Sequence, residues 1–191
     1  MPHNGACRCQ VILPDRQNHT SFAQTAKPKE TSQSMQIEQP RRIRHTYTQN
    51  LVAAPDKVFP LLCPVREAEW VPNWDPRRVL TGSGVGEQDC VFITEGAPQD
   101  AIWVITRHAA EAGRLEIIKV TVDHTVCKVE IALTATAKGT AAEIAYTYTA
   151  LSAAGEAFLD EFTADWYRGF MKEWEDAMNH YLTSGQMIQG D

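Results

Sequence analysis

From Arg78 to Ala150 the chain reads as six strand-like segments joined by turns too short to hold a crossover helix, and this run restricts the fold more than any other feature. The segments are 78–81, 89–95, 101–108, 114–122, 125–137 and 141–150. Between them lie Gly82-x-Gly84-x-Gly86, Gly96-Ala97-Pro98, Glu111-Ala112-Gly113, Asp123-His124 and Lys138-Gly139-Thr140. Parallel neighbours need a crossover of about a dozen residues or more, so antiparallel pairing is expected. A further strand is expected over 43–52, which alternates and is rich in Thr and Tyr. Alternation is clearest where Cys127, Val129, Ile131 and Leu133 oppose Lys128 and Glu130. One sheet face is therefore apolar and needs a cover.

The C-terminal region supplies that cover. Phe158, Phe162, Trp166, Phe170, Trp174, Met178, Tyr181 and Leu182 recur at helical spacing and predict one long helix from Ala154 to Leu182, with Gly185 as its stop. A strict four-residue step drifts around a straight helix, so the stripe is slanted and suits a helix lying diagonally across a twisted sheet. Two short helices are expected between 53 and 74: one with Pro55 in its first turn and Val58, Phe59, Leu61 and Leu62 as its apolar side, the other following Pro64. The fold class is α+β, a curved antiparallel sheet of about seven strands with two short helices and a long C-terminal helix.

Composition bounds the partners. A chain of 191 residues fits one domain, or one domain plus a tail. The net charge is −6; residues 1–40 hold four basic and three acidic side chains (+1), so 41–191 carry −7. No basic footprint for nucleic acid is expected, and an acidic surface disfavours anionic membranes. No apolar run approaches the roughly 18 residues of a span, so no membrane insertion is expected. The five cysteines are odd in number and irregular in spacing, and no secretory signal is read before them, which fits a reduced, cytoplasmic setting. Between Asp15 and Pro40 large apolar residues are scarce, so 1–40 is expected as a disordered or loosely ordered tail and 41–191 as the domain. Met35, just before that domain, is an alternative start of the mature chain.

Motifs for metals and cofactors are incomplete. Cys7-x-Cys9 has the wrong spacing for zinc, and neither it nor His124-x-x-Cys127 has a second local pair, so no metal site is expected. The Gly82-x-Gly84-x-Gly86 run lacks a following helix and reads as a turn rather than a dinucleotide fingerprint, so no cofactor is expected.

Three stretches carry a resemblance: Ala54-Pro55-Asp56-Lys57-Val58-Phe59, then Pro64-Val65-Arg66-Glu67-Ala68-Glu69-Trp70-Val71-Pro72-Asn73-Trp74, and Tyr146-Thr147-Tyr148-Thr149-Ala150-Leu151 with Gly155. With the order of elements, they make residues 43–184 similar to the START-like (SRPBCC) superfamily of lipid-transfer and polyketide cyclase/dehydrase-like proteins, within a largely uncharacterised bacterial branch. The resemblance implies a helix-grip fold, with a cavity between sheet and C-terminal helix. It transfers no catalytic residues, because the superfamily hosts carriers, sensors and enzymes alike. Asn73 departs from it, since a glycine is expected there.

Each candidate site residue has a structural alternative. Trp70 and Trp74 suit the wall of a pocket mouth, with Glu67 orienting a ligand or acting as an acid/base; Glu67 also suits a structural corner, capping backbone donors or pairing with Arg66 or Arg78. His45 and Tyr47 share a strand face with Gln49 and Leu51, and point either into the cavity or along the sheet edge. Trp103 is core, cavity wall or partner interface, because Ile102 and Val104 make the opposite face apolar too. Phe162, Trp166 and Phe170 are core, pocket lining, or both. The leading expectation is binding of a small hydrophobic or aromatic molecule. The alternative is a cyclase/dehydratase-like or hydrolase-like enzyme using Glu67, His45 and Tyr47 as acid/base groups. A third is a homodimer through an exposed edge strand or Trp103.

Overall fold

The computed structural model describes residues 35–188. Most of the 1–40 segment, Cys7 and Cys9 included, lies outside the described residues. Seven strands form one antiparallel sheet: β1 (Arg42–Leu51), β2 (Arg78–Leu80), β3 (Val91–Thr94), β4 (Ala101–Ala109), β5 (Arg114–Thr121), β6 (Thr125–Thr136) and β7 (Gly139–Ala150). Their spatial order is β1-β7-β6-β5-β4-β3-β2. Six strands thus form a meander, and β1 joins it beside the last of them. This is the helix-grip arrangement, and each of the seven expected strands is present.

The helices differ from expectation in two places. The first short helix is a single turn, α1 (Pro55–Val58), running on into a 3-10 turn at Phe59–Leu61; the second is a 3-10 turn alone, Arg66–Glu69. The long C-terminal helix is broken in two, α2 (Ala153–Glu161) and α3 (Ala164–Ser184). Phe162 leaves the helical region at ψ 66°, and Thr163 is extended. The Thr163 hydroxyl accepts from the backbone N–H of Trp166 at 3.2 Å and restarts the helix. The aromatic spacing conceals the break, because the Phe158 and Phe162 rings stay stacked at 5.9 Å across it. Thr163→Ala should lower stability by about 1 kcal/mol and Thr163→Ser should retain it, measured by urea unfolding.

Polar groups at the end of β1, one side chain and several of the backbone, fasten α3 to the sheet. Gln49 Nε2 donates to the Met171 carbonyl at 2.9 Å, and the Asn50 N–H donates to Glu175 Oε2 at 3.2 Å. Asn179 accepts from the Val52 N–H and donates to the Asn50 carbonyl, both at 2.9 Å. From the helix side, the Tyr167 hydroxyl donates to the Ile144 carbonyl at 2.9 Å. Tyr167, Met171, Glu175 and Met178 are the buried stripe of α3. Tyr167, Met171 and Met178 join Trp70, Phe92, Ile105, Leu115 and Leu159 in the hydrophobic core. Each such large apolar side chain contributes roughly 1.5–3 kcal/mol by leaving water. No helix among the described residues is long and apolar enough to cross a membrane.

Candidate functional site

Strand register sets the site. One row on the concave face runs Phe92, Trp103, Lys119, Cys127, Tyr148 across β3 to β7. The next runs Ile105, Ile117, Val129, Tyr146 and ends at His45 on the β1 edge. These rows do not meet α3 everywhere, and a cavity of about 720 Å³ remains between them and the helix. Its walls are largely apolar and aromatic, with Phe92 stacked on Trp103 at 5.3 Å and Trp166 on Phe170 at 5.2 Å. Its rim holds the exposed residues Pro72, Asn73, Asp75 and Glu95, and Trp166, which is 53% exposed.

The loop after the second 3-10 turn closes one side of this rim. Asn73 there has φ 60°, the left-handed region that Gly adopts freely and Asn tolerates. That conformation accounts for an asparagine where the resemblance leads one to expect glycine. Indole N–H groups fix the neighbouring rings: Trp74 donates to the Pro64 carbonyl at 2.7 Å, and Trp103 to Thr94 Oγ1 at 2.9 Å.

Glu67 lines the cavity, and protein packed around it pushes its carboxyl up to about 8. Burial is the whole cause, since no cation offsets it. The nearby cation is taken: Arg66 forks onto Glu69 with two hydrogen bonds of 2.9 Å. Arg66, joined by the Tyr181 hydroxyl, holds the Glu69 carboxyl down to about 2. At neutral pH Glu67 is thus a neutral acid and a hydrogen-bond donor to the cavity. Burial also raises the phenols of Tyr146 and Tyr148 well above their ordinary value, so both stay protonated.

Among the described residues Lys119 is the one basic side chain in the cavity wall. Its Nζ lies 4.8 Å from the Trp103 ring centroid. Burial pushes the ammonium pKa down, and no carboxylate counters that shift. Cys127, its partner across the strands, has its thiol pushed up to about 12 by burial and stays neutral.

Of the expected site residues, Glu67, Trp74, Trp103, Phe162, Trp166 and Phe170 line this cavity, whereas His45, Tyr47 and Trp70 lie elsewhere. Trp70 is wholly buried; its N–H donates to the Leu61 carbonyl at 3.1 Å, and its ring meets Trp174 edge-on. His45 Nε2 lies 2.9 Å from the Phe162 carbonyl, which the helix break frees, and its ring stacks on Tyr167 at 5.8 Å. The Tyr47 phenol is raised by burial and by the nearby Glu175 of α3. The three acid/base candidates therefore do not converge: His45 and Tyr47 anchor the helices. On the outer face of β4 Ile102 is 41% exposed, so the described residues leave that face partly open. Lys119, Tyr146 and Tyr148 were not singled out by the sequence reading. The signal for Lys119 is alternation: Leu115, Ile117, Lys119 and Thr121 share the inward face of β5.

No family model matches the sequence, and no curated protein is similar to it. Solved structures do share its fold. Norcoclaurine synthase from Thalictrum flavum superposes with a TM-score of 0.55 at 12% identity, covering 84% of this chain and 99% of the synthase. A protein from Rhodobacter sphaeroides superposes with a TM-score of 0.53 at 16% identity, covering 75% of this chain and 92% of that one. An uncharacterised protein from Rhizobium leguminosarum gives 0.54 at 12% identity, covering 78% and 99%. The chain shares the helix-grip fold of these structures.

Proposed function

We propose that this protein binds a small, mostly apolar aromatic molecule between the sheet and α3. The observation that carries this reading is the cavity of about 720 Å³, walled mainly by apolar and stacked aromatic side chains with polar groups set among them. That size lies within the roughly 300–1,000 Å³ of small-molecule sites, and a wall with few polar points is their usual chemistry. The polar points are Glu67 as a donor, the hydroxyls of Tyr146 and Tyr148, and Lys119. A ligand with one or two oxygen acceptors on an aromatic frame complements them. The acidic rim, Asp75 and Glu95, favours neutral molecules over anions.

Thermal unfolding against a panel of neutral two-ring aromatics, with fatty acids as a contrast, tests this. A ligand present at 100 times its Kd adds about 2.7 kcal/mol of stability, a rise of several degrees in Tm. Aromatics such as 2-naphthol are expected to raise Tm and fatty acids to leave it unchanged. A panel without effect would remove the reading.

A further inference from the structure

Lys119 is unusual among the seven lysines of the chain. It stands in the middle of the concave face, between Trp103 and Cys127 in register, where the sheet otherwise presents apolar and aromatic groups. Among the described residues no carboxylate acts on it: burial and Cys127 are the influences, and its Nζ lies over the Trp103 ring. No fully enclosed side-chain nitrogen or oxygen among the described residues lacks a hydrogen-bond partner. The Lys119 Nζ, which has none among the described residues, therefore keeps open surface, and the space it meets is the cavity. Elsewhere lysines are held charged: Lys128 by Glu130 at 2.9 Å, and Lys172 by Asp176.

A lysine in such a place has two chemical uses. As an ammonium it would pair with an anionic ligand, but the acidic residues Asp75 and Glu95 at the rim oppose the approach of one. As a free amine it is a nucleophile, and a desolvated lysine facing an apolar pocket is the arrangement that captures carbonyl compounds. The Trp103 face offsets part of the cost of the charge, yet burial outweighs it.

We propose that Lys119 captures a neutral aromatic aldehyde or ketone in this cavity as an imine. This rests on the reading of the cavity as an aromatic-binding site. The Nζ lone pair forms the bond to the carbonyl carbon, and the nitrogen proton passes to the former carbonyl oxygen, giving a carbinolamine. A proton from solvent at the open mouth then lets that oxygen leave as water while C=N forms, and the protonated imine so made returns its nitrogen proton to solvent. One aldehyde and one amine give one imine and one water, with no oxidant or reductant. Hydrolysis reverses the step.

The test uses the full chain with 2-naphthaldehyde and sodium cyanoborohydride, which reduces the imine to a stable secondary amine. Intact mass gives the number of adducts, and peptide mapping gives the site. One adduct at Lys119 is expected, forming at least about tenfold faster than at any other lysine or the N-terminal amine. Lys119→Arg should abolish that adduct, and the Tm rise of the unaltered chain with 2-naphthol, which has no carbonyl to capture, tests binding separately. A Tm rise with 2-naphthol, but adducts spread over surface lysines or absent, overturns the imine and leaves the binding reading standing. Absence of both the Tm rise and the Lys119 adduct overturns the two together. The wild-type peptide map decides the matter even if the variant fails to fold.

Discussion

Gly155→Ala is expected to destabilise the protein by about 3 kcal/mol, at the upper end of what an overpacked core costs, and to lower Tm by roughly 10 °C. Gly155 lies in the first turn of α2 and is buried against the β5–β6 hairpin. A Cβ at this position would stand 1.9 Å from the His124 carbonyl oxygen and 3.0 Å from its carbon. Those are backbone atoms of a tight turn, and the same oxygen already accepts from the Leu151 N–H at 2.9 Å. Neither partner yields by rotating a side chain, so α2 has to lift from the hairpin. Ala is the better helix former by about 1 kcal/mol, which offsets only part of the cost. Gly169, in the middle of α3, is the control: a Cβ there meets nothing within 4 Å. Gly169→Ala should stabilise by about 0.5–1 kcal/mol through helix propensity. Denaturant unfolding of both variants checks the pair, and equal effects of one sign would contradict this account of the α2 seat.

Glu67→Gln is expected to change strongly how stability depends on pH between about 4.5 and 8. The folded-state pKa of Glu67 is about 8 against an ordinary 4.5, so the folded protein holds a proton that the unfolded chain has released. The carboxyl's contribution is fully present below about pH 4.5 and is lost as pH rises to about 8. The loss is on the order of 5 kcal/mol over that window, from 1.36 kcal/mol per unit. Glutamine keeps the shape and the donor without titrating. Wild type and variant should therefore be close in stability near pH 5, and the variant should be far more stable near pH 9. Urea unfolding at the two pH values measures the difference. Parallel behaviour would mean that Glu67 is already hydrated through the cavity, and would remove it as a neutral donor to ligands.

The elements that alternate with short turns were legible in the sequence, because antiparallel pairing follows from turn length and the buried face from the period of two. The face assignment of β1 was legible too: His45, Tyr47, Gln49 and Leu51 lie on its more buried side. What that face meets was not. Edge strand β1 lies under α3, and only the three-dimensional path of the helix turns His45 and Tyr47 into anchors rather than ligand contacts. The helix break escaped for a related reason. Phe158, Phe162 and Trp166 continue a four-residue step through it, and the cap is a single Thr163 without the acidic partner three residues on that marks a capping box. Arg66 and Glu69 stand three apart and pair as helical spacing allows, which leaves Glu67 alone in the cavity wall. Lys119 sat in plain sight on an inward position, but its worth depends on the row across five strands, which local pattern does not contain.

The five tryptophans provide the most direct test of the cavity as a binding site. Each has one indole N–H signal in a nitrogen-15 spectrum, and they divide by position. Trp74, Trp103, Trp166 and Trp174 line the cavity, while the Trp70 N–H is bonded to the Leu61 carbonyl away from it. The measurement is a titration of the labelled protein with 2-naphthol. The account predicts saturable shifts at one molar equivalent, largest for the Trp103 and Trp74 indoles and smallest for Trp70. Indole signals that stay fixed throughout, or that drift together without saturating, would contradict it.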